Sequence, residues 1–188
     1  CNTATAHAVT SLRDHFKLPI TGVIEPGARA AVRASTARHI GVIGTLGTVS
    51  SGAYERAIHA LDEDVTVTAR ACPLFVPFVE EGWLEHPAIE LVASDYLSSL
   101  TDIGIDTLVL GCTHYPLLKP LLAEVVGKEV RLIDSAEETA AETRRVLEAE
   151  RLVAPRDNAG SHRFVASDAP DHFLRQGQRF LGATIDEV

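Results

Sequence analysis

Methionine is absent from the 188-residue chain, and so is any long apolar run. An initiator Met can be removed before a small residue, so its absence only hints that Cys1 is not a native start. Without an apolar run of roughly 20 residues, no membrane helix is expected. No basic-then-apolar stretch opens the sequence as a secretory signal would. Positive charge is scarce: 17 Lys and Arg stand against 26 Asp and Glu, for a formal net charge of −9. A general phosphate-backbone binder needs clustered Lys and Arg, so nucleic acid is not an expected partner. An anionic small molecule stays open as a substrate, because a pocket's local field can oppose the global charge. Cysteine is sparse, with three in all. An odd, small number makes no disulfide framework, and free thiols suit a reducing cytoplasm. The lysines, Lys17, Lys119 and Lys128, do not stand at strand ends, so a lysine-bound aldehyde cofactor is not expected. There is no C-x-x-C pair and no H-E-x-x-H, so no metal site is expected.

What is present fits a globular chain. Apolar residues make up 46% and charged residues 23%, enough for a sizeable core. Small or apolar residues at Ala4, Ala8, Leu12 and Phe16 predict a helix over 2–16. A short strand is expected over 20–27, ended by Pro26-Gly27, then an Ala-rich helix over 28–39. Strands are expected at 40–45, 65–72, 105–112, 129–134 and 162–167. Helices are expected at about 49–61, 76–80, 89–100, 117–126, 137–150 and from Asp168 or Asp171 to Leu181. The polar stretch at 155–160 reads as an exposed loop. Strand and helix alternate, which predicts an α/β fold, mainly parallel, with helices on both sheet faces. Ligands in such folds sit at the carboxyl ends of strands. Thr45, Cys72, Cys112 and Asp134-Ser135 occupy those places.

Cys112 ends a buried strand and precedes Thr113, His114, Tyr115 and Pro116. Pro suits the first turn of a helix, so Cys112 sits at a helix N-terminus whose partial positive field favours thiolate. His114, two residues on, can exchange a proton with it. The plainer alternative is a buried thiol packing as a small hydrophobe. Cys1-Asn2-Thr3 looks like the same device, although Asn2 and Thr3 are also ordinary capping residues. Cys72 has no acid or base beside it and reads as structural. The glycines at 41, 44 and 47 do not have dinucleotide-binding spacing. Thr45 and Thr48 in that turn could line a carboxylate. The remaining histidines, His7, His15, His39, His59, His86, His162 and His172, read as scattered surface residues.

Five stretches in order, "CNTATA", "GVIGTLGTVSSGAY", "ACPLFVPFVEEG", "LVLGCTHYPLL" and "LIDSAEETA", resemble the glutamate racemases of the aspartate/glutamate racemase superfamily. "GCTHYP" is the most specific of them, and His114 favours the glutamate branch. The resemblance implies two pseudo-symmetric lobes with mainly parallel sheets and an active site in the cleft between them. It implies cofactor-independent racemisation of L- and D-glutamate, supplying D-glutamate for peptidoglycan. Cys1 and Cys112 would be the thiolate and thiol on opposite faces of the substrate. His114 would assist Cys112, and Glu80 matches an acidic residue near the site. Asn2, Thr3 and Thr113 match substrate-binding positions. No cofactor and no metal are implied, and the intact protein is expected to be a cytoplasmic homodimer.

The family's leading segment, with an Asp-Ser turn and a Pro-Tyr-Gly turn, has no counterpart here. The expectation is a racemase lacking its N-terminal segment. Residues 1–24 and 134–188 would be the rest of the first lobe, and 25–133 the second. Unpaired sheet edges would then leave the chain poorly stable and largely inactive. Rival readings are another superfamily member, such as an aspartate racemase or related isomerase, and a non-catalytic anion-binding module. A third is an N-terminal-nucleophile hydrolase using the α-amine of Cys1. That last class usually rests on antiparallel sheet layers and leaves the Cys112 turn unexplained.

Overall fold

A computed structural model describes residues 1–155, 160–182 and 185. They fall into two compact units, Cys1–Arg151 and Leu152–Val188. The first unit carries the sheet. Its elements run α1 (Asn2–His15), α2 (Ile24–Ala34), β1 (His39–Gly44), α3 (Leu46–Ser50), α4 (Ala53–His59) and β2 (Thr66–Ala71). They continue with α5 (Phe75–Glu81), α6 (Pro87–Asp102), β3 (Thr107–Gly111) and a 3-10 turn (Tyr115–Leu118). Last come α7 (Lys119–Val126), β4 (Arg131–Asp134) and α8 (Ser135–Ala149). The strand order is β2-β1-β3-β4, and every neighbouring pair is parallel. This is the α/β class that the alternation of elements predicts. Parallel strands need crossover helices, which cover both sheet faces and explain why β3 is buried along its whole length.

Side chains alternate across the strands and feed two cores. Ile43, Leu108 and Leu110 join Phe75, Val79, Leu97, Tyr115 and Leu122 on one face. Ile40, Val42 and Val109 join Ile24, Ala28, Tyr54 and Ile58 on the other. Each fully buried large apolar side chain contributes about 1.5–3 kcal/mol relative to exposure. The two central strands therefore anchor the helices packed on both faces of the sheet.

The amino end of β3 is held separately. The Asp106 carboxylate accepts from Ser35 Oγ at 2.7 Å, Ala37 N at 2.6 Å and Thr36 N at 2.5 Å. Partial burial works against its charge, but the donors from Ala37, Ser35 and Thr36 outweigh it and hold the carboxyl below its ordinary pKa.

Two expected strands are not formed. Residues 20–23 lie outside any strand, and Ile24 to Gly27 open α2 instead. Pro26 is tolerated there because the first helical turn has no partner for its missing N–H. Gly27 is buried inside α2, where an added Cβ would stand 3.3 Å from the Tyr54 hydroxyl. The stretch 162–167 also carries no strand. Its β-branched and aromatic residues find no neighbouring ladder, and strand propensity expresses itself through such neighbours. The expected helix at 49–61 is broken at Gly52, which takes φ 63° between α3 and α4. The loop expected at 155–160 lies mostly outside the described residues.

The second unit contains α9 (Pro170–Leu181), close to the last helix expected. Gln178 Nε2 donates to the Ile185 carbonyl at 3.2 Å. No helix among the described residues is long and apolar enough to cross a membrane.

Candidate active site

The carboxyl ends of β1 and β3 lie side by side, since Gly44 pairs with Gly111. Neither has a Cβ, and neither has room for one. At Gly44 it would stand 3.2 Å from the Gly111 carbonyl oxygen, and at Gly111 2.7 Å from the Ile43 carbonyl oxygen. The two strands thus release their following turns at one point.

After β3 comes Cys112, 5% exposed. Its Sγ is 3.8 Å from His114 Nδ1, and His114 Nε2 is 3.0 Å from Glu80 Oε1. Glu80 comes from α5, so the line joins two crossover segments. A carboxylate only accepts, so Nε2–H donates to Glu80, and in that tautomer the Nδ1 lone pair faces the thiol. Thr113 is exposed beside them, its Oγ1 3.5 Å from His114 Nδ1. Burial pushes the Cys112 thiol up. The backbone N–H groups of His114 and Tyr115, the charge at the amino end of Cys1, and Thr113 pull it down, by less. The thiolate-favouring donors that the turn implies are therefore present, but desolvation exceeds them.

After β1 comes Thr45, which caps α3 by accepting from Thr48 N at 3.2 Å. Thr3 of α1 enters this cap. Its Oγ1 lies 2.8 Å from Thr45 Oγ1 and 3.0 Å from Thr48 Oγ1, while the latter two are 3.1 Å apart. Three hydroxyls in mutual contact can redirect their protons to an anion, since each rotates freely about its C–O bond. Gly47 lets α1 approach, because a Cβ there would meet Thr3 Cγ2 at 3.0 Å.

Cys1 precedes α1 and is exposed, with no side-chain cap. Asn2 is buried beneath it, and the Tyr54 hydroxyl donates to Asn2 Oδ1 at 2.6 Å. The structure thus brings Thr3, Thr45 and Thr48 together, and separately Cys112, His114 and Glu80. Tyr54 links the two cysteine turns, since its hydroxyl bonds Asn2, next to Cys1, and its ring lies against Gly111, next to Cys112. Cys72 is fully buried, and burial raises its thiol to about 12, against a smaller lowering by Arg70. That agrees with a structural thiol. All three cysteines are free. Among the described residues, no group of three or more His, Cys, Asp or Glu side chains is placed to hold a metal.

Tyr54 is the residue that sequence reasoning missed here, while Ser135 stands at a strand end that it singled out. Tyr54 is 3% exposed, and burial holds its phenol far above the ordinary value. Ser135 also reaches that phenol and donates to the Leu110 carbonyl at 3.0 Å. An aromatic in an amphipathic helix reads as core, and nothing local announces a partner 52 positions away.

Known proteins resemble this chain over its whole length. The model of the Asp/Glu/Hydantoin racemase family matches residues 1–143. The glutamate racemase of Geobacter metallireducens is 49% identical over the whole chain, which spans 70% of that protein. The crystal structure of a glutamate racemase isoform from Bacillus anthracis superposes with a TM-score of 0.92 at 40% identity, covering all of this chain and 71% of that one. The Francisella tularensis glutamate racemase, solved with D-glutamate, gives 0.90 at 32% identity, covering all of this chain and 69% of that one. The chain belongs to the Asp/Glu/Hydantoin racemase family and stands among its glutamate racemases.

Proposed function

We propose that this chain interconverts L- and D-glutamate by proton transfer between two cysteines, without a cofactor, for peptidoglycan synthesis. The observation that carries the reading is the Cys112–His114–Glu80 line at the end of β3, joined to the Cys1 turn through Tyr54 and Asn2. In one direction the Cys1 thiolate removes the α-proton and becomes a thiol. The electron pair left on Cα spreads into the adjacent carboxylate. The Cys112 thiol then protonates the opposite face and becomes the thiolate. The reverse direction exchanges the roles, so each turnover prepares the enzyme for the other enantiomer. His114 holds the Cys112 proton through Nδ1, and Glu80 keeps that ring in the required tautomer. The Thr3–Thr45–Thr48 hydroxyls and Thr113 supply donors for carboxylates, with Asn2 beside them.

The lobe division, 1–24 with 134–188 against 25–133, belongs to the same proposal. α-Hydrogen exchange in deuterated buffer tests the chemistry, followed by proton NMR for each glutamate enantiomer. Slow exchange from both enantiomers is expected, because a chain without the family's leading segment is expected to be largely inactive, and Cys1→Ala and Cys112→Ala each abolish what racemisation there is. Racemisation that survives Cys112→Ala, or no exchange from either enantiomer, would overturn the reading.

A further inference from the structure

We infer that Tyr54 is a positioning residue that fixes the side-chain amide of Asn2 so that its NH2 group serves a carboxylate of the substrate. The inference rests on the glutamate reading above and deepens it. Tyr54 is buried, and its hydroxyl donates to Asn2 Oδ1 at 2.6 Å. That length suits O–H···O rather than N–H···O contacts, so the amide oxygen, not its nitrogen, faces the phenol. Asn2 Nδ2 is then turned away. It is shielded from solvent and has no hydrogen-bond partner among the described residues. Asn2 is 2% exposed, so this is a buried donor awaiting an acceptor. Asn2 stands between Cys1 and Thr3, and Thr3 belongs to the three-hydroxyl cluster. A carboxylate bound against that cluster and the first turn of α1 is an acceptor of the required charge.

Tyr54 itself is held from several sides. The Ser135 hydroxyl reaches its phenol, and the Cys112 thiol lies close enough for its charge to act on it. Gly27 and Gly111 leave the slot for the ring, since a Cβ at either would meet it at 3.3 Å and 3.0 Å. The phenol therefore has little freedom, and the amide that it binds inherits that restriction.

Tyr54→Phe keeps the ring and removes the donor. NMR titration with D-glutamate reads the dissociation constant, and thermal melting reads the fold. About a tenfold weaker binding is expected, the loss of roughly one hydrogen bond. In an Asn2→Ala background Tyr54→Phe should weaken binding no further, because its effect runs through Asn2. In the unsubstituted protein, the Asn2 side-chain NH2 resonances, identified by their loss in Asn2→Ala, should shift on adding D-glutamate. A lower melting temperature with unchanged affinity overturns the inference, as does an equal effect of Tyr54→Phe in both backgrounds or an unmoved NH2 resonance. Failure of the unsubstituted chain to bind D-glutamate sinks the glutamate reading itself, and this inference with it.

Discussion

Replacing Gly111 by Ala puts a methyl group where two neighbours already stand. Its Cβ would lie 2.7 Å from the Ile43 carbonyl oxygen and 3.0 Å from Tyr54 Cε2. The first obstacle is backbone of β1, paired with β3 along five residues, and cannot yield without shifting a central strand. The second is a buried ring. Overpacking a tight interior costs typically ~1–3 kcal/mol, and a backbone obstacle argues for about 3 kcal/mol. Gly104→Ala is the matched control. Gly104 has φ 74° and nothing within 4 Å of an added Cβ, so the cost there is left-handed backbone alone, about 1 kcal/mol. With a urea slope of about 2 kcal/mol/M, the midpoints should fall by ~1.5 M for Gly111→Ala and ~0.5 M for Gly104→Ala. Far-UV circular dichroism reads both midpoints. Equal shifts for the two variants, or a smaller one at Gly111, would refute the claim that the β1–β3 contact is closed to side chains.

Other consequences follow from the same geometry. Glu80→Gln removes the charge that holds His114, and α-hydrogen exchange should slow about tenfold, ~1.4 kcal/mol, with the melting temperature unchanged. An unchanged exchange rate would separate Glu80 from the chemistry. Burial raises the Cys112 thiol, so its alkylation by iodoacetamide should accelerate with pH around a midpoint above the ordinary cysteine value of about 8.5. A midpoint below that value would contradict the desolvation argument. Cys72, raised to about 12, should stay unlabelled until urea unfolds the chain. Asp106 has its pKa lowered by folding, so its stabilisation is fully present above the unfolded value near 4. It is lost as pH falls through the lower folded value. The stability gap between the parent and Asp106→Asn should therefore close on acidification, and a gap independent of pH would count against the ionised carboxylate.

The compact apolar runs "IGVIGT" and "IDTLVLGC" were legible as central strands because burial on both faces leaves a continuous apolar signature. The placement of Cys112, Thr45 and Thr48 was legible for a related reason: the alternation of elements marks where each parallel strand stops and its turn begins. "ITGVIEPG" was misleading because Pro and Gly usually punctuate, whereas here one sits in a helix's first turn and the other makes room for Tyr54. "HRFVAS" has strand composition, but composition cannot state whether a neighbouring strand exists. The pairing of Tyr54 with Asn2 joins α4 to α1, and no local pattern encodes a contact made only when the chain closes.

The five residues of β3 separate two different fastenings. Asp106 secures its amino end, and Cys112 leaves its carboxyl end six residues later, about 20 Å away at the usual strand rise. Substitutions that far apart, without shared partners, combine additively. The rim at the amino end of β3 can therefore be strengthened or weakened by design as an independent adjustment, leaving the spacing of the proposed reacting groups alone. A laboratory seeking a hardier catalyst would work on the residues around Asp106, and one seeking a new substrate would rebuild the opposite rim.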